Sequence, residues 1–158
     1  MANTQSMCTS FLGELMTATH NFGTSPIRAA STADTFKAAL YLTTATINAA
    51  TTAYTATGEV TGTGYSAGGV TVTNATSPSS TNSSATAGVG YWTPSASIVY
   101  TTVTLTTAFD CVLIYNSTQS NKAVSVHTFG SQSITAGTFT LTMPANTTTT
   151  ALLRLATT

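Results

Sequence analysis

The chain has 158 residues, the length of one domain, and only eight charged side chains, four basic and four acidic, for a formal net charge of zero. Four dispersed basic residues cannot displace the counterions that nucleic-acid binding requires, and they give an anionic membrane no basic patch to hold. Thr supplies about a quarter of the sequence, and a β-branched residue with a hydroxyl suits a mostly sheet protein with an uncharged exterior, either one packed against copies of itself or a shell or a secreted Ser/Thr-rich domain.

No charged segment followed by an apolar core opens the chain, and no apolar run approaches the roughly 18 residues of a membrane helix, so synthesis in the cytoplasm is expected. Residues 5–19 are the one helix candidate. Ser6 is placed to cap it, Phe11, Leu15 and Ala18 recur at helical spacing, and Gly23 suits a left-handed cap before Ser25-Pro26 breaks any continuation. This segment, residues 1–24, is expected to act as a helical docking arm ahead of a β domain over residues 25–158.

The remaining pattern is β. Thr35–Leu42 reads as a strand with Phe36, Ala38, Leu40 and Leu42 on one face. Residues 62–69 are a glycine-rich turn that leads into the short alternating strand Val70–Thr73. Residues 75–88 are Ser, Thr, Ala and Asn with one Pro, and read as a flexible surface loop or interaction arm. Ile98–Tyr100 with the alternation from Thr101 to Thr107, the apolar run Asp110–Tyr115, the return Lys122–Phe129, and then Thr138–Met143 and Leu152–Ala156 complete the set. Asn116–Asn121 joins two of them as a hairpin connection. Short strands at this spacing predict a single β-sandwich or jelly-roll-like domain preceded by the short helix.

Little in the sequence suggests chemistry. Gly62, Gly64 and Ala67 imitate a dinucleotide fingerprint, but a Gly-Gly pair and a strand follow where the phosphate-holding helix is required. No nucleophile elbow is present, and Cys111 beside Asp110 lies in a strand centre, where a thiol is ordinarily inert core. His127 on a strand reads as a hydrogen-bonded residue rather than a base. The acids Glu14, Asp34, Glu59 and Asp110 form no recommended pair, and no Cys or His shows metal-ligand spacing. No catalytic residue, cofactor or metal is therefore expected. A carbohydrate-binding module is the different-class alternative, with Tyr54, Tyr65, Tyr91, Trp92 and Tyr100 as its candidate aromatics.

Four stretches together carry a resemblance. They are Cys8–Phe11 with Glu14-Leu15 and His20–Phe22; Asp34–Tyr41; Gly58–Gly69; and Ile114–Thr118 with its return strand. In order and spacing they resemble a family of tailed-bacteriophage virion structural proteins, of the capsid decoration or cement kind, across Cys8 to Leu155. The most specific of the four is Glu59-Val60-x-Gly62-Thr63-Gly64-Tyr65-x-x-Gly68-Gly69. The resemblance implies a non-enzymatic virion component made in the host cytoplasm and leaves its place on the particle open; a small, neutral, mostly β chain suits the capsid surface, bound to the major capsid protein and reinforcing the shell. A homo-oligomer is expected, with a trimer as the fold-level expectation. A neck, tail or fibre component is the alternative within the same biology. Phe11, Phe22, Tyr65 and Trp92 are the candidate interaction residues.

Overall fold

A computed structural model describes residues 3–8, 11, 15, 19–22, 33–73, 75–81 and 88–156. It is mainly β, with two antiparallel sheets. The larger sheet has five strands in the order β1 (Ser6–Met7), β7 (Lys122–Leu141), β6 (Ile98–Asn116), β2 (Phe36–Leu42) and β3 (Val70–Thr71). The smaller has three, β4 (Ser79–Ser80), β5 (Val89–Trp92) and β8 (Leu153–Ala156), with β5 in the middle. No helix of the described residues is long and apolar enough to cross a membrane.

The expected N-terminal helix is corrected. Ser6 and Met7, placed in its first turn by sequence, are instead a strand paired antiparallel with Val126 and Ser125. Phe11 and Leu15 have helical backbone, but residues 12–14 and 16–18 lie outside the described ones, and no helix is seen among the described elements. The reason is competition for backbone partners. A lone helix under about 12–15 residues is marginal, whereas the edge of β7 offers Ser6 and Met7 a ready ladder. Part of this segment is built into the core: Cys8, Phe11 and Phe22 are all buried, whereas Thr4 and Gln5 are exposed.

β2 is almost wholly buried: β6 and β3 flank its edges, and the glycine loop approaches its backbone at Ala38. Its register with β6 is regular from Phe36↔Asn116 to Tyr41↔Cys111, the longest unbroken run in the sheet. The expected loop at 75–88 contains β4, and Trp92 Nε1 donates to the Thr76 carbonyl at 2.9 Å. Residues 82–87 of it lie outside the described ones.

The four expected strands between Ile98 and Met143 are two long ones. β6 and β7 pair from Asn116↔Lys122 to Ile98↔Leu141, with several register shifts between Tyr100 and Cys111. Phe129 and Phe139 would stand roughly 33 Å apart on a straight strand, yet their ring centroids are 5.1 Å apart. The ribbon therefore folds over on itself. Thr102 and Ala136, with φ of 52° and 48°, mark the irregularity, consistent with bulges that bend a strand and increase its twist. The fold brings Tyr100 back over β2, where its hydroxyl donates to the Ala38 carbonyl at 2.8 Å.

Candidate functional site

The specific glycine motif packs against two strands of this fold, with Glu59, Val60 and Gly68 buried and residues 61–64, 66 and 67 exposed. Gly69 lies against β2 with φ of 69°, and a Cβ there would run into the Ala38 carbonyl. Gly62 lies against the returning part of β6, where a Cβ would meet the Thr104 carbonyl. Thr104 N donates to the Thr63 carbonyl at 2.9 Å, tying the loop to that strand. Only glycine permits both approaches.

Glu59 organises the loop. Its carboxylate is buried and accepts three hydrogen bonds: from Tyr54 Oη at 2.6 Å, from Tyr65 Oη at 2.8 Å and from Gly68 N at 2.7 Å. Tyr65 Oη accepts in turn from Leu40 N at 3.0 Å, and Tyr115 Oη donates to the Gly68 carbonyl at 2.8 Å. Tyr54 stacks on Tyr115 and Tyr65 on Tyr100. Burial first, then the hydrogen bond to Glu59, pushes the Tyr54 phenol up to about 12. Burial, reinforced by the Glu59 charge, raises Tyr115 to about 12 and Tyr100 well above the usual tyrosine range. All three phenols stay protonated donors, Tyr54 to the Glu59 carboxylate, Tyr115 to the Gly68 carbonyl and Tyr100 to the Ala38 carbonyl.

A second polar cluster joins the segment 19–22 to the β6–β7 turn. Asp34 Oδ2 accepts from Asn21 N and from Asn116 Nδ2, each at 2.8 Å, and its Oδ1 accepts from Gln119 Nε2 at 3.2 Å. Asn116 Oδ1 accepts from the backbone of Thr118 and Gln119, which fixes the amide so that Nδ2 also faces His20 Nδ1 at 3.1 Å. Each group has partners on other elements, as a buried polar network must.

Ser125 and His127 resemble a nucleophile and base, with Oγ and Nε2 2.9 Å apart. Ser125 is 1% exposed, however, so a substrate carbonyl cannot reach it. Burial drives the His127 ring down to about 4, keeping it neutral. Burial and the Asp110 charge push the Cys111 thiol up to about 12, the opposite of an activated nucleophile. Cys8 and Cys111 are both buried and outside any disulfide. Asp110 accepts from Asn3 Nδ2 at 2.6 Å, and Glu14 lies outside the described residues. Among the described residues no group of three or more His, Cys, Asp or Glu is placed to hold a metal ion.

Of the candidate interaction residues, Phe11, Phe22 and Trp92 are brought together and Tyr65 is not. Phe22 stacks on Phe36 at 4.4 Å and meets Trp92 at 4.7 Å, with Phe11 edge-on at 5.8 Å. All three are core residues. An apolar cleft of about 170 Å³ opens above them, framed also by Leu15, Gly90 and Leu155. Among the aromatics a sugar platform would need, Trp92 and Tyr100 are buried, Tyr54 and Tyr65 are bound to Glu59, and Tyr91 is half-buried at the edge of the cleft. Sequence reasoning missed Glu59 as an organising group. Its signal was there: a lone carboxylate in a nearly uncharged chain, flanked by Tyr54 and Tyr65 and followed by glycines.

No family model matches the chain, and no curated protein or solved structure matches it.

Proposed function

We propose that this chain is a non-enzymatic structural protein of a tailed-bacteriophage virion that binds the capsid surface and reinforces the shell. On this reading its partners are the major capsid protein and copies of itself, and its two sheets face one another as a β-sandwich whose interior includes Phe36 of one sheet and Trp92 of the other, 6.1 Å apart. The sequence resemblance from Cys8 to Leu155 suggests the role. The observation that carries it is the surface. No Asp, Glu, Lys or Arg lies between Lys122 and Arg154, and much of that stretch is exposed Ser and Thr. A surface of this kind favours association over repulsion, and on a lattice many weak contacts add through effective concentration.

Immunogold labelling of intact virions tests the reading. Label spread evenly over the head is expected. Label confined to the neck, tail or fibres would move the protein to another part of the particle, and virions without label would overturn the virion role.

A further inference from the structure

The β6–β7 ribbon ends on a sheet edge that one more strand would complete. Among the described residues, β7 has a strand on its outer side only at Ser125 and Val126, where β1 pairs. In the last part of the ribbon, Phe139 and Leu141 are half-buried, whereas their β6 partners Tyr100 and Ile98 are 1% and 2% exposed. Burial thus declines from β6 to the outer edge of β7, the pattern of a sheet that stops one strand short. On the other face Thr138, Thr140 and Thr142 are exposed, and Val99, opposite Thr140, is 39% exposed. Sheets ordinarily guard such an edge with Lys, Pro or a bulge. From Phe139 to Leu141 the register with β6 is regular, and Thr138–Met143 contains neither charge nor proline.

We propose that this edge pairs with the same edge of a second copy, antiparallel about a two-fold axis at Thr140. The sequence is its own complement there. Centred on Thr140, Thr138 of one copy faces Thr142 of the other and Phe139 faces Leu141. Threonine therefore meets threonine on the outer face, and apolar meets apolar on the inner one, as cross-strand pairing favours. Such an interface is isologous and closes after two copies.

Charge selects a copy over a foreign strand. Pairing about this axis sets residue 140 against itself and every other position against a second residue of the same uncharged edge, so no like charges oppose one another. The whole span between Lys122 and Arg154 carries no Asp, Glu, Lys or Arg. The same span gives an acidic or basic partner strand nothing to pair with. The pairing goes beyond the virion reading and does not depend on it, because it is a property of the isolated chain.

Sedimentation velocity on the purified chain decides the matter. A species of twice the 16.1 kDa monomer is expected. Thr140→Lys and Thr140→Glu each put two like charges at the axis, and each should raise the dimer Kd at least about tenfold. A mixture of the two variants should restore the dimer. Thr140 is exposed, and far-UV circular dichroism should show the fold retained in both. A wild-type chain that stays monomeric through the micromolar range, a dimer that both substitutions leave unchanged, or variants whose mixture remains monomeric would each overturn the proposal. A monomer here would leave the outcome of virion labelling untouched, so the two failures are distinguishable.

Discussion

A buried carboxylate is tolerated only where enough donors replace its water, and Glu59 has three: two phenols and one backbone amide. Glu59→Ala leaves all three without their acceptor, at about 1–3 kcal/mol for each buried donor. A loss of roughly 3–5 kcal/mol in urea denaturation is expected, with a smaller loss for Glu59→Gln, which keeps the shape and one acceptor. His127 makes a different kind of prediction. Its folded-state value lies near 4, below the usual 6.5, through burial. Between those two values the unfolded chain binds a proton that the folded chain does not, so stability rises with pH across the window. The contribution is complete above about 6.5 and is lost as pH falls toward about 4. His127→Gln should flatten that acid limb by about one proton, read as the slope of unfolding free energy against pH. An unchanged slope would show that the ring is not held neutral.

At the scale of elements, the glycine loop ties β2 to the returning half of β6. Gly69→Ala combines a positive φ with a collision against the Ala38 backbone, and Gly62→Ala meets the Thr104 backbone. Backbone cannot yield as a flexible side chain can, so each is expected to cost more than about 3 kcal/mol or to prevent folding. Gly130→Ala, with nothing within 4 Å of the new methyl, should change stability by less than about 1 kcal/mol. Urea midpoints of the three variants check the ranking. The same loop shows what sequence could and could not reveal. The glycines and β2 were legible, because close approach and alternating apolar residues both leave a local signature. β1 and β4 were not, since two residues become a strand only through a partner elsewhere in the chain. The continuity of β6 and β7 was hidden by their own irregularities. Register shifts and positive φ at Thr102 and Ala136 break the alternation that identifies a strand, so one bent ribbon reads as several short strands. The candidate interaction residues were legible as large apolar groups, but nothing local distinguishes an aromatic bound for a core from one bound for an interface.

For the whole molecule, the burial of both cysteines turns them into reporters of cooperativity. Cys8 belongs to the N-terminal segment, and its amide donates to Val124 on β7, whereas Cys111 lies in the centre of β6. Both thiols are fully buried, and the Cys111 thiol is pushed up to about 12, chiefly by burial. A thiolate is the reactive form, so neither residue should be modified at neutral pH while the chain is folded. If the N-terminal segment belongs to the same cooperative unit as the sheet, the two should become reactive together, at the free energy of global unfolding. If it detaches on its own, as an arm poised to dock elsewhere would, Cys8 should react at a lower free energy than Cys111. The contacts favour the first outcome. Phe11 and Phe22 are interleaved with Phe36 and Trp92, and Asn21 is held by Asp34, so releasing the segment would open the aromatic core and strand a buried carboxylate. Thiol-labelling rates at graded denaturant, compared between Cys8→Ser and Cys111→Ser variants, measure both openings. Equal free energies would make residues 3–22 part of the domain body, and a lower value at Cys8 would restore the arm.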